Sequence, residues 1–168
     1  MRRWLAALLV ACTAPAGAAT FVATSVEESA RASDAVVRGR VVSAESRLTR
    51  DGRGVVTEVE IAVDEAWKGA PDGTVKLTVP GGRVGRIAQR VDAAASFEPG
   101  EEVVVFLARR GETWWVMGHA LGKYRVEAGE ARSAVEGSQV LPRALSADER
   151  AVGTMSVVEL ERRVRGAR

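Results

Sequence analysis

The chain of 168 residues is 46% hydrophobic and 27% charged, the balance of a folded soluble domain and not of a disordered segment. One histidine, His119, and one cysteine, Cys12, leave little material for imidazole or thiol catalysis or for a zinc shell. The formal charge of +2 belongs to the first residues: without Arg2 and Arg3 the 24 basic residues fall to 22, equal to the 22 acidic ones. A neutral mature chain argues against nucleic acid as a partner, because phosphate binding needs net cationic area.

Residues 1–18 have the form of a signal peptide. A cationic start precedes an apolar stretch from Trp4 to Ala14, then Pro15 and the small-x-small pattern Ala16-Gly17-Ala18. The apolar run is too short for a permanent membrane span, so the mature chain is expected to lack one. A second reading is a lipobox, Leu9-Val10-Ala11-Cys12, with Cys12 lipidated. Both readings send the protein out of the cytoplasm, to the periplasm or the medium. Cleavage at residue 18 removes Cys12, so the fold is held by burial without a disulfide.

In the mature chain, Thr24-Ser25-Val26-Glu27-Glu28 offers a capping box for a short helix over Val26 to Ala32. From Asp34 the period shortens to that of strands. Val36-Val37-Arg38-Gly39-Arg40-Val41-Val42 is β-branched, and its glycine suits a bend or a close backbone approach. Asp51-Gly52 marks a turn. Val55, Thr57, Val59, Ile61, Val63 and Trp67 then alternate with Glu58, Glu60 and Asp64, which predicts a long half-buried strand with Trp67 on the apolar face. Val75, Leu77 and Val79 continue as its hairpin partner.

Pro80 to Gly100 is irregular, with a short strand expected over Ile87 to Val91. Val103-Val104-Val105-Phe106-Leu107 is apolar at every position and predicts a strand covered on both sides. Trp114 to Met117 and Lys123 to Val126 are further extended pieces. Two capping boxes, Ser146 to Glu149 and Ser156 to Glu159, lie near the C-terminus, the second opening a helix with Val157, Leu160 and Val164 on one side.

Five to eight short strands with helices only at the ends predict a mainly β fold: a small antiparallel OB-like barrel with short N- and C-terminal helices. The barrel domain with its short N-terminal helix is expected over residues 19–126, and a C-terminal extension with short helices over 127–168. Asp34-Ala-Val-Val-Arg-Gly-Arg-Val-Val, Val63-Asp-Glu-Ala-Trp-Lys-Gly, Val79-Pro-Gly-Gly and Phe97-Glu-Pro-Gly-Glu-Glu-Val-Val-Val-Phe-Leu resemble segments of small exported bacterial proteins of unknown function. The likeness runs from about Asp34 to Val126. It implies location and fold, and brings no catalytic residues.

Candidate chemistry is sparse. No Gly-x-Ser-x-Gly elbow and no Ser-x-x-Lys pair occurs, and Gly81-Gly82-Arg83-Val84-Gly85 lacks the Lys-Ser/Thr ending of a phosphate loop. Asp51, Asp72 and Asp92 stand singly, so no metal and no cofactor is expected. Glu101 and Glu102 point to opposite faces of a strand start. Glu58 and Glu60 share a face about 7 Å apart. An exported hydrolase using Glu58, Glu60 or His119 is therefore the alternative to a non-enzymatic module, and it requires a recessed cleft.

Arg83, Arg86 and Arg90 form the leading binding candidate, three permanent cations on one irregular segment that suit a carboxylate, a phosphate or an acidic surface. Pairing with Asp92 and Glu98 is their structural alternative. Trp114 and Trp115 point to opposite faces of an extended segment, one of them a candidate contact. The expected role is an exported binding module for an unknown protein or anionic ligand of the cell envelope. Protease inhibition is a subcase, although the netrin-like inhibitors are disulfide-rich and this mature chain is not.

Overall fold

The computed structural model describes residues 20–69, 71, 73–136 and 138–167. The expected leader, its expected cleavage site and Cys12 lie outside the described residues. In chain order the elements are β1 (Thr20–Val22), α1 (Val26–Ala32), β2 (Ala35–Leu48), β3 (Val55–Lys68), β4 (Thr74–Pro80), β5 (Gly82–Val84) and β6 (Ile87–Gln89). There follow β7 (Glu102–Arg110), β8 (Thr113–Val116), a 3-10 turn (His119–Gly122), β9 (Lys123–Glu127), β10 (Glu130–Ser133), β11 (Gln139–Leu141), β12 (Met155–Ser156) and α2 (Val157–Gly166).

The main sheet runs β12-β10-β9-β7-β2-β3-β4-β8, and β8 also pairs with β7. The ladder β2-β3-β4-β8-β7 therefore returns to β2. The expectation of a purely antiparallel sheet is corrected here, because β4 pairs with β8 in parallel, Leu77 opposite Trp114 and Thr78 opposite Trp115. The reason is parity: a closed ring with an odd number of strands cannot alternate direction at every step, so one neighbouring pair must run the same way. β1 and β11 form a separate parallel ribbon.

The ring encloses Val37, Val41, Val59, Ile61, Val75, Leu77, Val103, Val105 and Leu107. A second core lies outside it, where Val36, Val104, Phe106 and Tyr124 meet Val26 and Ala30 of α1 and Leu160 and Val164 of α2. β7 belongs to both cores, and Val103 to Leu107 are all fully buried, as the two-sided apolar pattern predicts. After Glu127 the chain adds β10 and β12 to the same sheet, and α2 packs against β3 and β10.

Alternation along β3 breaks where the strand bulges. Arg38 pairs with Glu65 and Gly39 with Val63, leaving Asp64 as an extra residue; Trp67 is extra in the same way between Ala66 and Lys68. The phase flips, so Ala66 faces the ring interior while Trp67 joins the helix-covered core. This corrects the placement of Trp67 on the face of Val59 and Ile61. Opposite the bulge, Gly39 has no alternative residue, since an added methyl group would overlap the Ala62 carbonyl oxygen.

The helices begin as their caps dictate. Ser25 Oγ accepts from the Glu28 amide at 2.9 Å, and Glu28 accepts in return from the Ser25 amide at 3.1 Å. Lys68 closes the other end of α1, donating from Nζ to the carbonyls of Ala30, Arg31 and Ser33. At α2 only half the box forms: Ser156 accepts from the Glu159 amide, while the Glu159 carboxylate turns to Arg162 and Arg163. Ser146 to Glu149 is a turn and not a helix, so of the two capping signals near the C-terminus only Ser156 to Glu159 opens a helix, and the expectation of more than one helix in the extension is corrected.

Candidate functional site

The irregular segment after β4 is a short hairpin, β5–β6, seated on the end of the ring. It is held by a pair of small hydroxyls. Ser46 of β2 and Thr57 of β3 bond to each other at 3.0 Å; Thr57 donates to the Gly81 carbonyl, and the Arg83 amide donates to Ser46 Oγ. Gly82 fits above them at φ +133°, where an added Cβ would collide with both hydroxyl oxygens. From the far strand, Gln89 Oε1 accepts the Val55 amide at 2.7 Å, fastening the hairpin beside the β2–β3 turn.

Below the hairpin lies a cleft of about 620 Å³ lined by Ser46, Thr57, Gly82, Gln89, Arg90 and the run from Val91 to Phe97. Its lining mixes small and hydroxyl side chains with Val79, Pro80 and Phe97. Arg90 stands at its edge, 3.8 Å from Asp92 and largely in solvent. Arg83 and Arg86 are exposed, line neither this cleft nor the smaller one described below, and have no carboxylate partner among the described residues. Of the acids expected as partners for this segment, Asp92 meets Arg90, whereas Glu98 lies 3.8 Å from Arg125.

Trp114 and Trp115 do separate to the two faces. Trp114 leans into the ring interior under the Arg109 guanidinium, 5.4 Å from its ring centre. Trp115 faces outward beneath Arg110 at 5.7 Å and lines a cleft of about 140 Å³ with Thr78, Pro80, Met117 and His119. Both indoles are half-buried. The two clefts share Val79, Pro80 and Ala95 as a common wall, so the arginine hairpin and Trp115 border different pockets.

The other candidates are dispersed. Glu58 is paired with Arg47 at 2.7 Å and Glu60 with Lys76 at 2.5 Å, on the strand face opposite Val59 and Ile61. The Glu60 contact holds the Lys76 ammonium above its ordinary value. His119 is exposed at the start of the 3-10 turn, with φ +58°. Among the described residues no group of three His, Cys, Asp or Glu side chains converges as a metal site would require. No described helix is long and apolar enough to cross a membrane.

A buried ionic centre was not anticipated from the sequence. Lys123 of β9 lies under the loop before β7, and its Nζ donates to both oxygens of Glu101, at 2.7 and 2.8 Å, and to the Ser96 carbonyl at 2.5 Å. Arg125 Nε donates to Glu101 from the other side at 2.7 Å, and the Phe97 ring covers the ammonium. Burial pushes the Glu101 carboxyl up, but the hydrogen bonds from Lys123 and Arg125 outweigh it and hold the group below its ordinary value. Glu102 points the other way, to Arg38 and Arg40, as the alternation of neighbours requires. Every proton of Lys123 is satisfied, so the centre pins the loop from Ser96 to Glu101 and has no free group for acid–base work.

Arg50 and Arg53 are the other residues that sequence reasoning passed over. They flank the Asp51-Gly52 turn and are exposed. Their signal, a cation on each side of a turn, gains meaning only once Gln89 ties that turn to the arginine hairpin. Comparison of the chain with protein families, with curated proteins and with solved structures returns no match.

Proposed function

We propose that this chain is an exported, non-enzymatic binding module on an OB-like barrel, and that the end of the barrel carrying the Gly81 to Arg90 hairpin is its recognition surface. The ring order β2-β3-β4-β8-β7, with its one parallel contact, is that expected of an OB-type barrel. Such barrels bind through loops at the barrel edge, among them the loop joining the first two strands, here the β2–β3 turn. The observation that carries the reading is the hairpin itself. A hydroxyl pair and a glycine at φ +133° fix its base, while Arg83 and Arg86 are left exposed without an acidic partner among the described residues.

The chemistry present supports binding over catalysis, since the carboxylates of the hydrolase alternative are spent on Arg47 and Lys76. Export rests on the leader read in residues 1–18. Pull-down from an envelope extract tests the surface: the wild-type chain is expected to retain partners that the variant R83A/R86A/R90A loses. Identical capture by both removes the hairpin as the recognition surface. Intact mass of the exported protein tests the leader, with a chain starting at Ala19 or Thr20 expected and a lipidated Cys12 terminus overturning it.

A further inference from the structure

We infer that the hairpin end of the barrel docks on an anionic phospholipid surface, an inference that rests on the proposed recognition surface and names what it meets. The inference starts from the two turns that share this end. The β2–β3 turn carries Arg50 and Arg53, and the β5–β6 hairpin carries Arg83 and Arg86; the Gln89–Val55 bond and the Ser46–Thr57 pair hold the two side by side. None of these four guanidinium groups has a carboxylate within 4.0 Å among the described residues. The acid in their midst, Asp51, is occupied by the Thr49 hydroxyl at 2.6 Å and the Arg53 amide at 3.2 Å. In a mature chain with equal numbers of acids and bases, this is a local excess of positive charge with a direction.

The same two turns expose aliphatic side chains. Ile87, next to Arg86, is 54% exposed, and Leu48, two residues before Arg50, is 39% exposed. Gly52 and Gly85, at the tips, have no atom within 4 Å of where a side chain would begin, so both turns project into open solvent. A projecting surface with guanidinium groups around bare aliphatic side chains fits a lipid headgroup layer: the cations meet phosphates while Ile87 and Leu48 enter the boundary below. An acidic peptide or polysaccharide strand would use the charges and gain little from the aliphatic groups. Lipid phosphate explains both.

The test is co-sedimentation of the protein, as recovered from the exporting cell, with vesicles of phosphatidylglycerol and phosphatidylcholine, against vesicles of phosphatidylcholine alone. Binding is expected only to the anionic vesicles. R83A/R86A is expected to weaken it by roughly 25-fold, since each cation near a charged bilayer contributes about five-fold. I87S, which alters no charge and sits at an exposed position, is expected to weaken it as well, whereas R162A/R165A on the distant helix α2 leaves it unchanged. All four proteins are compared at equal helix and strand content by circular dichroism. The inference is overturned if the anionic vesicles are not bound, if R162A/R165A reduces binding as much as R83A/R86A, or if I87S binds as wild type. In that last case, capture by a soluble polyanion such as dextran sulfate, lost in R83A/R86A, would retain the recognition surface while replacing its partner. Unchanged pull-down by the triple arginine variant would remove the surface itself.

Discussion

Lys123 donates to both carboxylate oxygens of Glu101 inside the protein, with about 5% of either side chain reached by solvent. Removing Lys123 leaves the buried Glu101 carboxylate with Arg125 as its remaining ion partner, and a buried charge that loses a counterion keeps its desolvation cost. K123M is therefore expected to lower the unfolding free energy by about 3 kcal/mol, measured by urea denaturation. A loss below about 0.5 kcal/mol would mean that the pair behaves as a surface bridge.

The same pair sets an acid limit. Glu101 is held below its ordinary value of 4.5, and so is Glu27, where burial is outweighed by the Arg150 amide and the Arg163 side chain. A carboxyl group depressed in the folded state adds stability that is present above its unfolded value and lost as pH falls through the folded one. Tm is expected to be flat near neutrality and to drop below pH 4.5. E101Q should be less stable at pH 7 and show a shallower acid slope; an unchanged slope would assign the acid limit to other groups.

Gly82 offers a way to separate the hairpin from the ring of strands. G82A drives a methyl group into Ser46 and Thr57 at a φ that favours glycine, and the nearest relief is to lift β5–β6 off the ring. Trypsin is expected to cut the variant early at Arg83 or Arg86, before any cut in the strands of the ring. Equal proteolysis of variant and wild type would show that the hydroxyl pair does not hold the hairpin.

Tyr124 is fully buried against Phe106, with ring centres 5.9 Å apart, and its hydroxyl has no well-formed hydrogen bond among the described residues. Burial pushes the phenol far above its ordinary value. Removing an unsatisfied buried hydroxyl while keeping the ring relieves a desolvation cost of about 1 kcal/mol or more. Y124F is expected to match or exceed the wild type in Tm. A clear loss would show that the hydroxyl is bonded after all, to the neighbouring Gly153 backbone or to a buried water.

Lys68 links β3 to the end of α1 by three hydrogen bonds to carbonyls at its last turn, those of Arg31 and Ser33 and that of Ala30, which also accepts the Ser33 amide. K68M retains the aliphatic stem and removes only those bonds, so it is expected to cost about 1–2 kcal/mol. Amide hydrogen exchange should localise the change to residues 26–33, and a uniform change across the sheet would contradict a local capping role.

Legibility in the sequence followed the range of the interactions. The helix over Val26–Ala32 depends on neighbours a few residues away, and the two-sided burial of Val103 to Leu107 is written in an unbroken apolar run, so local pattern carries both. The parallel β4–β8 contact does not: it arises from closing five strands, and nothing near Leu77 or Trp114 announces it. Alternation places Trp67 on the wrong face because a bulge leaves no mark in a run of alternating residues, although Gly39, its counterpart on the other strand, does signal a close approach. For the site, Arg83, Arg86 and Arg90 stood out by number on one segment. Arg50 and Arg53 join them through Gln89, 34 residues from the Val55 amide it accepts, and Lys123 finds Glu101 across 22 residues. Those pairings belong to the tertiary fold, so short-range reading could not reach them.

β7 is a party wall, with Val105 and Leu107 turned to one room and Val104 and Phe106 to the other. Neither compartment can be opened without stripping a surface that the other needs: lifting off the two helices wets the back of the strand that the ring is wrapped upon. Melting is thus expected to be a single concerted event, the ring losing its order together with its helical cover.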